Sequence, residues 1–232
     1  MDIINNCYSN FSAIYGVLYD KTFNEWFNYV DDENIVIMEQ DRITDDTFKN
    51  YISIENYNNE NDSKRIKDEN SMYTKFVWLF SPPIKIIDNI YLGNAINSKN
   101  KLQLDENNIK LIINVTSEIS NHFEDEIDYI KIPIKDNNNE PLDKEILEST
   151  YQKILEYQSK ENSGNIMVHC MMGLSRSVTI ITYYIMRKLK HEDGSNYTYD
   201  DAYNLISEAK PIINPTFRLV KDATKAVIHY NN

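Results

Sequence analysis

The sequence predicts an α/β protein, a central, mostly parallel sheet flanked by helices, with a small N-terminal extension. Two observations carry that expectation. Short apolar runs bounded by turn residues alternate with longer segments of helical period, the pattern of strands joined by helical crossovers. One such run, Ile166-Met167-Val168, has no polar position to turn toward water, which suits a strand covered on both faces. A chain of 232 residues accommodates one domain of about 150 residues with a full core, plus an appendage.

In chain order, residues 1–54 form the extension. Ile14-Tyr15-Gly16-Val17-Leu18-Tyr19 and Ile35-Val36-Ile37-Met38 read as short strands, and Phe23, Trp26, Phe27 and Val30 fall on the i, i+3, i+4, i+7 template between them. So short a segment rarely makes a stable core alone, so it is expected to pack on the larger domain. Residues 55–71 are rich in asparagine and charge and nearly free of apolar side chains, which predicts a linker or exposed loop. The main domain then occupies 72–232.

Within that domain, Ile146, Leu147, Tyr151, Ile154 and Leu155 share one helical face. The turn signal Ser163-Gly164-Asn165 introduces the strand Ile166-Met167-Val168. The apolar run Val178 to Met186 is too long for a strand and predicts a central buried helix, despite its β-branched content. Thr198 caps a further helix buried through Ala202, Leu205, Ile206 and Ala209, and Lys210-Pro211 ends it. Asn214 is then expected to cap the last helix, with Pro215 at its first position.

Between the buried strand and the buried helix lies His169-Cys170-Met171-Met172-Gly173-Leu174-Ser175-Arg176-Ser177. A loop wrapping into a helix N-terminus offers backbone N–H groups to an anion, and the same dipole end favours thiolate over thiol. Cysteines so placed have pKa values lowered from about 8.5 to roughly 3.5–7.5, so Cys170 is expected to be ionised at neutral pH. Arg176 can hold two phosphate oxygens with its planar fork, a geometry lysine cannot reproduce. Gly173 permits the sharp turn. His169 is expected to orient the loop through its ring nitrogens, and Ser177 to donate a hydrogen bond to the sulfur. Taken alone, a cysteine at a strand end is usually a small buried hydrophobe. The joint spacing points instead to a cysteine nucleophile acting on a phosphate ester.

The motif His-Cys-x-x-Gly-x-Ser-Arg-Ser resembles the signature of the dual-specificity branch of the protein tyrosine phosphatases. Ile90-Tyr91-Leu92-Gly93-Asn94 resembles that family's opening strand and turn, and Ile112-Ile113-Asn114-Val115-Thr116 its second core strand. Ile130-Lys131-Ile132-Pro133-Ile134-Lys135-Asp136 is similar to the strand leading into the general-acid loop. Asn214-Pro215-Thr216-Phe217 resembles the start of the last helix, in the form seen in poxvirus enzymes. The resemblance runs from about Ser81 to the C-terminus. It implies a protein tyrosine phosphatase-like fold, Cys170 as nucleophile, Arg176 as phosphate clamp, Asp136 as general acid and Ser177 as the hydroxyl that assists thiolate release. Glu140 is the fallback acid. Lys210-Pro211 stands where an arginine-proline pair is frequent, and Leu219-Val220-Lys221 where a glutamine often follows the phenylalanine; both are read as scaffold positions.

Composition bounds the alternatives. Cys7 and Cys170 are the two cysteines, too few for a disulfide framework, so a reducing compartment is expected. A disulfide between them would protect an oxidised nucleophile, but Cys7 is read as incidental. The formal net charge of -12 argues against a nucleic-acid partner and is compatible with a basic phosphoprotein substrate. No Gly-x-x-x-x-Gly-Lys or His-Glu-x-x-His pattern occurs, so neither a cofactor nor a metal is expected. No membrane span and no signal peptide are read, and Asp2 excludes myristoylation. An intracellular, cytoplasmic enzyme follows, and the abundance of asparagine and isoleucine suggests an AT-rich genome, viral or protist. The uncharged Met171, Met172 and Leu174 favour a phosphoprotein over a phosphoinositide, and the two methionines suggest an apolar rim. A non-hydrolysing phosphoresidue-binding scaffold and an RNA 5'-phosphatase remain as alternatives. Oligomeric state is not read from the sequence.

Overall fold

The computed structural model of the protein describes residues 78–135 and 140–231. The expected extension, the linker, Cys7 and Asp136 lie outside the described residues. In chain order the elements are β1 (Ile84–Ile87), β2 (Ile90–Gly93), α1 (Ala95–Lys99), α2 (Lys101–Glu106), β3 (Ile109–Asn114), β4 (Asp128–Lys131), α3 (Lys144–Gln158), β5 (Asn165–His169), α4 (Arg176–Lys188), α5 (Tyr199–Ala209) and α6 (Phe217–Asn231). Among the described residues the strands form one sheet in the order β1-β2-β5-β3-β4. β5 pairs in parallel with β2 and β3, β3 in parallel with β4, and β1 antiparallel with β2 at the edge. The sheet is therefore mostly parallel, as expected, and the sequence reading missed the edge strand and the two short helices after β2.

The sheet is covered on both faces because its central strands alternate between two apolar clusters. Ile166 and Val168 of β5, with Leu111 and Ile113 of β3, belong to the large core that also takes in side chains of α3, α4, α5 and α6. Met167 and Ile112 point the other way, into a smaller core with Leu104 and Ile127. Ile109 joins that second core because the β3–β5 register slips between Ile109 and Leu111.

α4 is the central helix. Every residue from Arg176 to Met186 is buried, against β2, β5, α3, α5 and α6. Its β-branched residues disfavour an isolated helix, yet Val178, Ile180, Ile181 and Ile185 each contribute roughly 1.5–3 kcal/mol on full burial, which overrides a propensity cost of a few tenths per residue. α5 starts as expected, in a capping box between Thr198 and Asp201, and closes at Lys210. α3 departs from its expected face. Leu147, Tyr151 and Ile154 are buried, but Ile146 is 38% exposed and Thr150 and Tyr157 take part in the buried face instead.

Two boundaries also differ. β4 ends at Lys131, so the stretch expected to be strand through Ile134 continues as irregular chain. α6 begins at Phe217 and not at Pro215. Asn214 lies two residues before Thr216, the residue that flanks the helix start, and its N–H is bound to the Leu174 carbonyl at 2.8 Å. The segment Asn214–Thr216 is used instead to brace the loop after β5. Among the described residues no helix is long and apolar enough to cross a membrane.

Candidate active site

β5 ends with His169 paired to Gly93 on one side and Asn114 on the other, so the loop Cys170–Ser175 leaves from the carboxyl edge at the middle of the sheet. Ligand sites of open parallel sheets lie at this edge. The loop runs directly into the first turn of α4 at Arg176.

The shape of the loop is set from outside. The Met171 carbonyl accepts from Ala95 N–H at 3.0 Å, that of Leu174 from Asn214 N–H at 2.8 Å, and that of Ser175 from Thr179 N–H at 2.9 Å. The Met172 carbonyl accepts from Lys210 Nζ at 3.3 Å, and Ser175 Oγ accepts from Thr216 N–H at 3.4 Å. Gly173 has φ +69°, and a Cβ there would stand 2.6 Å from the Gly93 carbonyl oxygen. Both the left-handed backbone and the close approach of β2 require glycine.

Inside this frame sits the Cys170 sulfur, 3% exposed. Gly173 N–H donates to it at 3.2 Å, and Ser177 Oγ at 3.2 Å. Burial alone pushes the thiol up. The Arg176 charge, the Ser177 hydroxyl and the N–H groups of Ser177 and Gly173 outweigh it, so the thiol lies below its ordinary value. His169 is wholly buried, and burial pushes its imidazole down to about 4, so it is neutral at pH 7. Its Nδ1 lies 3.2 Å from the Cys170 carbonyl, which places the proton on Nδ1 as donor. The ring therefore orients the loop without exchanging a proton near neutrality.

Arg176 is 5% exposed and held on two sides. Its NH1 group donates to the Ile134 carbonyl at 3.2 Å and pairs with Glu118 Oε1 at 2.7 Å. The other Glu118 oxygen accepts from Ser117 N–H and Oγ at 3.0 and 3.1 Å. Desolvation raises the Glu118 carboxyl, but the charge of Arg176 and these donors bring it below its usual range, so the pair is ionised at neutral pH. Sequence reasoning did not single out Glu118. It follows β3 in a turn built by Asn114, whose side chain donates to Ile119 O and accepts from Thr116, and its usable signal was position after a parallel strand next to β5.

The remaining expected residues divide. Met172 and Leu174 are half-buried, whereas Met171 is 4% exposed, so the apolar rim rests on Met172 and Leu174 and not on two methionines. Ser175 and Gly173 are buried in the loop itself. Glu140 is exposed and paired with Lys135 at 2.7 Å. The stem before Asp136 is fixed at two points, Ile134 O by Arg176 and Lys135 O by Arg218 at 3.3 Å. Among the described residues no cluster of three or more His, Cys, Asp or Glu is arranged to hold a metal.

The arrangement suits a thiolate that attacks an anion held by the loop and later leaves. Ser177→Ala removes one donor to the charged sulfur, a bond of the kind worth about 1.5–3 kcal/mol. Turnover should slow about tenfold to a hundredfold, and steady-state phosphate release beside the unsubstituted protein checks it.

Residues 90–226 match the family described as dual specificity phosphatase, catalytic domain. The chain is 35% identical over 140 residues to human dual specificity protein phosphatase 9, covering 60% of this chain and 34% of that protein. It is 32% identical over 137 residues to mouse dual specificity protein phosphatase 1, covering 58% of this chain and 34% of that protein. The chain thus spans about a third of the length of these curated relatives. Among solved structures, human DUSP28 superposes with a TM-score of 0.57 at 21% identity, covering 66% of this chain and 97% of that one. That likeness extends to the α/β fold with its flanked sheet.

Proposed function

We propose that this chain, since it belongs to the dual specificity phosphatase family, hydrolyses phosphotyrosine and phosphoserine or phosphothreonine in proteins through a phosphocysteine intermediate. The observation that carries the reading is the sulfur of Cys170, buried at a helix N-terminus with Ser177 and Gly173 both donating to it at 3.2 Å. In the first step the thiolate attacks phosphorus, the ester P–O bond breaks, and Asp136 protonates the leaving oxygen. In the second, Asp136 takes a proton from water as that water attacks the phosphocysteine, and the thiolate departs against the Ser177 hydroxyl. Arg176 holds equatorial phosphate oxygens through both steps.

Asp136 is assigned from its place after the stem at Ile134 and Lys135. Its role is tested by leaving-group dependence. Asp136→Ala should lower turnover about a hundredfold for alkyl phosphates and several-fold or less for activated aryl phosphates, because only poor leaving groups need the proton. Equal losses on both would remove Asp136 as the acid.

The decisive experiment is phosphate release from matched phosphotyrosine and phosphothreonine peptides and a phosphoinositide, with chelator present and Cys170→Ser beside the unsubstituted protein. Peptide hydrolysis that the substitution abolishes supports the reading. Folded protein that leaves the peptides intact favours the lipid or RNA 5'-phosphate readings, or a non-hydrolysing scaffold. Uncharged Met172 and Leu174 at the rim support the protein substrate, and the net charge of -12 supports a basic one over nucleic acid. From residue patterns we further infer the poxvirus-like approach to α6, a viral or protist source and a cytoplasmic place of work.

A further inference from the structure

Lys210 ends α5 and is 2% exposed, although the sequence marked it only as a scaffold position. An ammonium buried so deeply is costly unless charges and acceptors offset its lost hydration. Among the described residues its hydrogen-bond acceptor is the Met172 carbonyl at 3.3 Å, and a Cβ on Gly173 would stand 3.0 Å from its Nζ. The Met172 carbonyl and the Gly173 N–H belong to one planar peptide unit. That N–H is the one that donates to the Cys170 sulfur at 3.2 Å. The ammonium and the sulfur therefore grip opposite ends of the same peptide dipole, each strengthening the other's bond.

We propose that Lys210 is a positioning residue of the reaction, a second cation beneath the loop that turns and polarises the Met172–Gly173 peptide toward the Cys170 thiolate. The inference rests on Cys170 being the nucleophile. Burial pushes the Lys210 ammonium down to about 8, against which the Cys170 thiolate pulls it up. The other groups around that thiolate are Arg176 and the Ser177 hydroxyl on α4, while His169 at the end of β5 stays neutral. Arg176 is the larger charge acting on the sulfur, so Lys210 tunes a thiolate that Arg176 establishes.

The test follows the thiol directly, in the full chain with Cys7→Ser so that Cys170 alone reacts. Iodoacetamide alkylation is measured against pH for the otherwise unsubstituted protein, K210R and K210M, beside the pH profile of phosphate release. In K210M the alkylation midpoint should rise by about one pH unit, the size of effect a nearby charge exerts. K210R, which keeps the positive charge, should hold the midpoint of the lysine protein. An unmoved midpoint in K210M, or a K210R midpoint that rises as far as that of K210M, overturns the proposal. Alkylation needs no turnover, so a protein that releases no phosphate at all would refute the phosphatase reading while the midpoint still decides the role of Lys210.

Discussion

Cys170→Ser should lower phosphate release by on the order of 10^5-fold or more while leaving phosphate binding within a few-fold of the unsubstituted protein. The asymmetry follows from the construction of the site. The loop carbonyls of Met171, Leu174 and Ser175 are bound by Ala95, Asn214 and Thr179, none of which involves the sulfur. Gly173 keeps its turn through its own φ and the Gly93 backbone. On the proposed mechanism, removing the sulfur removes the nucleophile and leaves the cradle. A serine hydroxyl is not ionised at pH 7, so neither Ser177 nor Arg176 has an anion to stabilise there. Isothermal titration with inorganic phosphate or vanadate, set beside single-turnover kinetics, measures both halves. A substituted protein that lost binding along with turnover would show that the sulfur also builds the loop.

Arg176→Lys should reduce kcat/KM by about a hundredfold to a thousandfold, the range lost when a preorganised donor to a transition-state oxyanion is removed. The substitution keeps the charge, so the loss isolates geometry. Arg176 spends one nitrogen on Ile134 O and Glu118 while its fork remains planar, and a lysine at the same place has a single ammonium to divide among those partners and a phosphate. Glu118, itself exposed to solvent, would keep a weaker partner at little cost to stability. The thiol alkylation midpoint should move little, because a positive charge remains near the sulfur. A loss under tenfold would mean that charge alone, not the fork, does the work.

The contrast between these two residues and their supports shows what was legible beforehand. The nucleophile, the arginine and the hydroxyl lie within eight consecutive positions of the sequence, and the strand-loop-helix context that gives them meaning is local: an apolar run on each side and a glycine between. Local patterns also predicted α3, α4 and α5, since an amphipathic or wholly apolar period survives without knowledge of partners. The edge strand β1 was missed because four residues of Ile84-Lys85-Ile86-Ile87, half-buried, carry no alternation strong enough to read. The start of α6 was misplaced because Asn214-Pro215 looks like a helix start, and its actual task is to bind a loop some 40 residues earlier in the chain. The expected face of α3 shifted by one position for a related reason, as burial there depends on which neighbours α6 and α4 supply.

By itself, then, the sequence determined the strand-loop-helix frame of the site and the α/β class, because both are written in contiguous residues whose spacing obeys backbone geometry. Tertiary structure alone decided which charges complete the site. Glu118 comes from the turn after β3 and Lys210 from the end of α5. In the sequence each is one charged residue among 60, most of which by their nature face water. Their meaning appears only when β3, β5 and α5 pack, and the closing of water from that edge makes an ion pair to Arg176 and an ammonium behind the Gly173 peptide strong enough to matter.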